Sequence, residues 1–327
     1  MKKLKYFLML FFLSVGSFAN TYTSYVPAGI DPPDEFTTLV EFLEGKVDFL
    51  KGDFPIISGD EVKNNLRNDG FHIIDIRTDS WFEYGHIKNA VNVPAEELLT
   101  YFQTKINPSD YEKIVLVCYS GQSAGYYSGL LRIAGYDNVY SMKWGMSTWR
   151  EDFAETWLKN IKPSLEDKLE TSLNSKADPT THPEINTGKA GGEEILQTRL
   201  QELFAIPYSD FILKPVDVFE SPQAYYTLYY GKTDDYTKGH VPGAILYEDG
   251  NSLQFNNDLL SLPKDKKIAI YTTTGQKAAY LTAYLNVLGY DAGNIAYGEN
   301  GFMNNLLKKH GRDAFSTKEI NMFPVIE

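Results

Sequence analysis

Short apolar runs alternate along the chain with stretches of helical periodicity. Ile73-Ile74-Asp75-Ile76, Ala90-Val91-Asn92-Val93 and Ile114-Val115-Leu116-Val117 read as strands. The third is continuously apolar and β-branched, so it reads as buried on both faces. Residues 122–134 turn helical, with Leu130, Leu131 and Ile133 on the apolar side, and Gly135 stands where a helix end favours positive φ. Val139-Tyr140-Ser141-Met142 is the next strand, and Ser58 with Glu61 three residues on opens an earlier helix as a capping box. Strands alternating with helices imply parallel β-α-β units with right-handed crossovers.

The same grammar is written twice. Gly85-His86 recurs as Gly239-His240 (239 − 85 = 154), Gly121-Gln122 as Gly275-Gln276, and Gly135-Tyr136-Asp137 as Gly289-Tyr290-Asp291, all at one offset. Asn138 and Gly145 match Asn294 and Gly301 at 156, which reads as a two-residue insertion. Copy two offers Val216-Asp217-Val218, Ala244-Ile245-Leu246 and Ile268-Ala269-Ile270-Tyr271 as strands, a helix near 277–288 and another over 193–204. On this alignment the stretch from Asp217 to Gly239 is longer by 12 and carries Tyr225, Tyr226, Tyr229 and Tyr230, which read mainly as packing residues. The expected fold is α/β, two tandem domains, each a small, mostly parallel sheet flanked by helices. Residues 54–160 are domain one and 196–327 domain two. The polar stretch 161–195, with Pro163, Pro179, Pro183, Gly188, Gly191 and Gly192, is a linker, and 20–53 a leader.

The first nineteen residues read as an address. Lys2, Lys3 and Lys5 precede a short apolar run, and Ser17-Phe18-Ala19 is a small-x-small cleavage pattern, the three parts of a secretory signal peptide. An uncleaved membrane anchor is the alternative, although the run is short for a bilayer. The expectation is an exported protein, periplasmic or extracellular, with no stable membrane insertion after signal removal. Formal net charge is −12 over 327 residues, which argues against nucleic acid as a partner. With one cysteine, Cys118, there is no intramolecular disulfide and no multi-cysteine metal site. His72, His182 and His310 are scattered without metal spacing, so neither metal nor organic cofactor is expected.

Cys118 directly follows the buried strand and precedes a Gly-containing turn and a helix. Successive amides in such a turn converge on an anion, and the helix N-terminus adds partial positive charge. Both favour thiolate over thiol, which makes a partly accessible cysteine there a nucleophile. The alternative is an inert buried cysteine at a strand end.

Around Cys118 the chain resembles the rhodaneses, or sulfurtransferases. Asp75-Ile76-Arg77 resembles the family's Asp-x-Arg. Gly85-His86-Ile87 with Ala90 and Asn92-Val93-Pro94 resembles its Gly-His-Ile run. Cys118 to Ser123 resembles its six-residue active-site loop, and residues 135–139 and 143–149 its closing strand and final Gly-x-x-x-Trp. The resemblance implies ping-pong covalent catalysis: Cys118 takes a sulfane sulfur from thiosulfate, polysulfide or a persulfide and passes it to a thiophilic acceptor. Small sulfur anions and thiols are the implied partners. The implied anion-binding loop is Tyr119, Ser120, Gly121, Gln122 and Ser123, whose amides are the expected donors, with the Ser120 and Ser123 hydroxyls added. Phosphatase and arsenate-reducing cousins carry a longer loop ending in Arg, so their chemistry ranks low.

Asp75, Arg77, His86 and Trp144 are supporting residues. Asp75 and Arg77 are expected to brace the loop, and His86 recurs as His240 in the degenerate copy, which favours a structural hydrogen bond. Trp144 is read as packing at a domain face or lining the pocket mouth, and Lys143 as the nearest cation. Members that use thiosulfate often place Arg or Lys in or after the loop; Ser123 stands there instead, so polysulfide or a persulfide suits this site better. Trp81 stands where the family often has an acidic residue. Thr272 replaces the cysteine in copy two, so that copy is expected to be catalytically silent. The rival reading is a non-catalytic rhodanese-fold binding or scaffold protein.

Overall fold

The computed structural model describes residues 34–327, apart from 45, 48, 49, 180 and 251. The signal peptide read over residues 1–19, and the first part of the leader, lie outside the described residues. No helix among the described residues is long and apolar enough to cross a membrane.

The leader contributes α1 (Glu35–Leu43), opened by Asp34, whose carboxylate accepts the Thr37 amide at 3.0 Å. Copy one runs β1 (Ile56–Ile57), α2 (Gly59–Asn64), β2 (Phe71–Asp75), α3 (Asp79–Tyr84), β3 (Val91–Asn92), α4 (Leu98–Thr104), β4 (Lys113–Val117), α5 (Gln122–Ile133), β5 (Val139–Met142) and α6 (Glu155–Leu158). After α7 (Gly192–Phe204), copy two runs β6 (Ile212–Leu213), α8 (Pro215–Glu220), β7 (Tyr225–Gly231), α9 (Thr233–Tyr236), β8 (Ile245–Glu248), β9 (Lys267–Tyr271), α10 (Gln276–Val287), β10 (Ala292–Ile295) and α11 (Asn300–Lys309). The two five-stranded sheets have the orders β1-β5-β4-β2-β3 and β6-β10-β9-β7-β8, and every pairing is parallel. The two tandem α/β domains are therefore present. β4 and β9 are central in their sheets, which is why their cores are apolar on both faces.

The pairings correct two parts of the sequence alignment. Val216, Asp217 and Val218 lie in α8, which Pro215 opens at its first position, where a missing amide costs nothing. The counterpart of β2 is β7, the tyrosine run itself. Asp75 pairs with Val117, and Tyr229 pairs with Tyr271, so the offset stays at 154 and there is no 12-residue insertion. Tyr229 and Tyr230 are buried in the strand. The match of Gly145 is likewise Gly298, not Gly301 (298 − 145 = 153). Both have positive φ and press against the loop after the central strand. Asn138 matches Asp291: its carbonyl accepts the Ile114 amide, as that of Asp291 accepts Ile268. Copy two is one residue shorter there, not two longer.

The copies meet through α5 and α10. Small residues on α5 allow the close approach: a Cβ on Gly125 would lie 3.0 Å from the Gln276 carbonyl oxygen, and one on Gly129 3.1 Å from the Ala283 Cβ. α10 is buried around its whole circumference, so it shows no amphipathic stripe. The leader helix α1 packs on α7, and its Phe36 lies edge-on to Tyr290 of copy two.

Each copy is also strapped by chain that follows the other. Residues read as linker cross to copy two, where Glu170 and His240 exchange backbone hydrogen bonds at 2.9 Å and Leu165 joins the core. The C-terminal residues return to copy one. There Ile326 and His86 exchange backbone bonds at 2.9 Å, and the Phe323 amide donates to the Trp149 carbonyl at 2.7 Å. The Trp149 indole N–H donates to the Pro324 carbonyl at 2.9 Å, and Phe323 and Val325 pack on the copy-one core. Deleting residues 317–327 removes these bonds and contacts. The expected loss is on the order of 2 kcal/mol of copy-one stability, read as a lower urea midpoint; an unchanged midpoint would show the strap to be passive.

Candidate active site

The site starts where β4 ends. Cys118 leaves the sheet edge, residues 119–121 turn, and α5 begins at Gln122 with Gly121 as its N-cap at φ +87°. The three carbonyls that lead into the helix are engaged on the outside. The Cys118 carbonyl accepts the Met146 amide at 2.8 Å. That of Tyr119 accepts the Ser147 hydroxyl at 3.0 Å, and that of Ser120 accepts the Trp157 indole N–H at 3.0 Å. A peptide whose carbonyl points out turns its N–H inward. Accordingly the Gly121 amide donates to Cys118 Sγ at 3.1 Å, and the Ala124 amide, in the first turn of α5 where amides lack an intrahelical acceptor, donates at 3.4 Å. Gly145, at φ +60°, backs the turn so closely that a Cβ would lie 2.4 Å from the Cys118 oxygen and 2.6 Å from the Gly121 nitrogen. Only glycine fits there.

The expected loop residues take different places. Of the five, Gly121 donates to the sulfur, and Ala124, one position beyond the expected set, is the second donor. Ser120 and Ser123 line the cavity over the loop. The Gln122 side chain turns away into copy two, where its Oε1 accepts the Tyr297 amide at 2.7 Å and the Asn294 side-chain amide at 3.2 Å. Tyr119 also lines the cavity and holds its hydroxyl near Thr78. Cys118 itself is 1% exposed, against the expectation of partial accessibility. Tyr208 and Tyr297 of copy two help close the cavity on its side of the loop.

Among the supporting residues, Asp75 and Arg77 form a buried two-point ion pair with contacts of 2.7 to 3.1 Å, and Arg77 also donates to the Gly85 carbonyl at 2.7 Å. They fix the end of β2 beside the strand that launches Cys118, but do not line the cavity. His86 stacks on Phe82 and bonds the Phe82 carbonyl at 2.9 Å. Trp144 packs edge-on against the stacked Trp157 and Phe315 and does not line the cavity. Lys143 is paired with Asp313 and faces the cavity of copy two. The described residues lining the cavity over the loop, about 450 Å³ in volume, are all uncharged, and the buried Cys118 is not among them.

Copy two keeps the backing of the loop but not the sulfur. Gly298 backs its loop at φ +55°, and the Glu299 amide donates to the Thr272 carbonyl at 3.0 Å. The Thr272 hydroxyl is buried and has no hydrogen-bond partner. Arg312 donates to the Thr273 hydroxyl at 3.0 Å and pairs with Glu299, whose carboxyl burial raises above its usual value. Among the described residues no group of three or more His, Cys, Asp or Glu could hold a metal ion.

Sequence reasoning missed Trp157, Ala124, Tyr208, Tyr297 and the exchange of glutamines. Gln276 mirrors Gln122: its Oε1 accepts the Trp144 amide at 3.2 Å, and its Nε2 donates to Ser141 and the Met142 carbonyl. The signal available was that this glutamine recurs in a copy that has lost its cysteine.

The model of the rhodanese-like domain matches residues 58–152 and again 221–305. Thiosulfate sulfurtransferase GlpE of Shewanella oneidensis is 38% identical over 80 residues, which are 24% of this chain and 75% of that protein. Its namesake in Pseudomonas syringae is 30% identical over 91 residues, 28% of this chain and 82% of that protein. The solved thiosulfate sulfurtransferase of Pseudomonas aeruginosa is 17% identical, covering 89% of this chain and 50% of that one at a TM-score of 0.29. With the domain matched in both copies, the chain belongs to the rhodanese-like family.

Proposed function

We propose that the protein is an exported sulfurtransferase with a single working site at Cys118, which carries sulfane sulfur as a persulfide. One observation carries the reading: two main-chain amides, from Gly121 and Ala124, converge on a cysteine sulfur where the carbonyls of Cys118, Tyr119 and Ser120 are tied outward. Such a cradle stabilises a sulfur anion without a metal. The sulfurtransferase relatives support the same chemistry. Export rests on the charged start, apolar run and small-x-small pattern of residues 1–19. Thr272 offers copy two no thiol.

The uncharged cavity bears on the donor. Thiosulfate presents hard sulfonate oxygens, which call for a guanidinium or ammonium partner, whereas the charge of a polysulfide lies on polarisable sulfur that the loop amides can receive. A missing charge-assisted bond of about 1.5–3 kcal/mol corresponds to roughly a ten- to hundredfold rate difference. Polysulfide is therefore expected to load Cys118 at least about tenfold faster than thiosulfate. The check is intact mass after incubation with each donor: one added sulfur, removed by cyanide, and none in Cys118→Ser. An unmodified wild-type chain with both donors would overturn the reading, and faster loading by thiosulfate would overturn the donor order.

The loop geometry gives a second expectation. Gly145→Ala forces a methyl group into the Cys118 carbonyl and so rotates the amides off the sulfur. Sulfur uptake should fall more than about tenfold, because hydrogen bonds to a charged group contribute about 1.5–3 kcal/mol each. Uptake at the wild-type rate by a variant with an unchanged circular dichroism spectrum would contradict it.

A further inference from the structure

Copy two has no nucleophile, yet it supplies one side of the cavity over the Cys118 loop, through Tyr208, Ser209, Ile212, Ala296 and Tyr297, opposite Tyr119, Ser120 and Ser123. Two of these residues are held with unusual firmness. Tyr297 has left-handed backbone at φ +62°, a conformation that non-glycine residues rarely adopt. Copy one holds it there. Gln122 accepts its amide at 2.7 Å, Asn160 donates to its hydroxyl at 3.0 Å, and Trp157 packs edge-on with ring centres 4.9 Å apart. Tyr208 is fixed by Asn294, which donates to its hydroxyl at 2.7 Å, and by its own amide, which donates to the Tyr127 hydroxyl. The Tyr297 hydroxyl is pushed up to about 12, first by burial and then by the charge of Cys118; that of Tyr208 is raised by burial, with Cys118 again adding.

An immobile, uncharged wall discriminates by charge. Taking an ionised carboxylate, sulfonate or ammonium into such a cavity is strongly unfavourable unless a partner is provided, and no charged side chain lines it among the described residues. Aromatic rings and Ile212 instead favour apolar contact. We infer that copy two is the specificity half of the Cys118 site, with Tyr297 and Tyr208 selecting small organic thiols and persulfides whose body is uncharged. Tyr297 and Tyr208 are the specificity-determining residues, and Gln122 and Asn160 are positioning residues that act through Tyr297.

The inference rests on Cys118 as the sulfur carrier and balances as follows. The Cys118 thiolate attacks the terminal sulfur of a donor R–S–S–H. The donor S–S bond breaks, R–S⁻ leaves, and the released proton goes to it or to water. Cys118 then holds the sulfur as a persulfide. An acceptor thiolate R′–S⁻ attacks that outer sulfur, the Cys118 S–S bond breaks, and R′–S–S⁻ departs with the Cys118 thiolate restored.

The test uses two readouts on the full chain. The first needs no sulfur transfer: rates of Cys118 alkylation by neutral iodoacetamide and anionic iodoacetate, as a ratio relative to a free thiol. The wild type should favour the neutral reagent by at least about tenfold beyond the free thiol. Tyr297→Phe, which keeps the ring, should retain that bias. Tyr297→Ala should lose it and alkylate faster. The second is transfer from sulfur-loaded Cys118 to 2-mercaptoethanol, 3-mercaptopropionate and cysteamine, where kcat/KM should favour the uncharged thiol and the bias should again vanish in Tyr297→Ala. A wild-type alkylation ratio equal to that of the free thiol, or an equal bias in Tyr297→Ala, overturns the inference. Selective alkylation in a chain that never takes up sulfur would overturn the sulfurtransferase reading while leaving the charge-selective wall in place.

Discussion

The site depends on the direction of a few peptide groups. After β4 the chain has to turn, and the turn could present either carbonyls or amides to the Cys118 sulfur. Three partners decide the matter: Met146, Ser147 and Trp157 take the carbonyls of Cys118, Tyr119 and Ser120 on the outside. The amide of Gly121 is left facing the sulfur, and that of Ala124 joins it from the first turn of α5. All three partners come from the segment after β5, which approaches the turn only because residue 145 has no side chain. Sheet, closing segment and turn therefore form one device, in which the strand carries the cysteine forward and the closing segment orients its surroundings.

Duplication adds a second constraint. Gln122 and Gln276 each begin the helix after their own loop, and each reaches into the other copy to accept the amide of a residue in left-handed conformation, Tyr297 and Trp144 respectively. The straps are reciprocal as well: Glu170 on His240 in copy two, and Ile326 on His86 in copy one. A copy that has exchanged its cysteine for Thr272 thus remains necessary to the shape of its neighbour. The histidines fit this picture, since each stacks on the aromatic ring four residues earlier and holds that residue's carbonyl, with or without a cysteine nearby.

Much of this was legible in the sequence. Continuous apolar runs marked the central strands, the strand-loop-helix position marked Cys118, and a constant offset marked the duplication. The misreadings have definite causes. Val216-Asp217-Val218 has the look of a strand end, but Pro215 before it was a helix start. The tyrosine run was read as an insertion because its residues share no identity with Phe71-His72-Ile73-Ile74-Asp75, although a pleated, half-buried surface accepts either set. Glycine identity misled at Gly301, where the backbone requirement sits on Gly298. Tyr208, Tyr297 and Trp157 were out of reach for a different reason. Their roles come from contacts between copies or across long stretches of chain, and no local pattern encodes those.

A crystal structure of the protein after treatment with polysulfide tests the central claim most directly. The account requires one additional sulfur bonded to Cys118 Sγ and lying inside the ring of loop amides, within hydrogen-bond distance of at least one of them. A bare Sγ after treatment that modifies exposed thiols, or an added sulfur directed away from the amides, would contradict it.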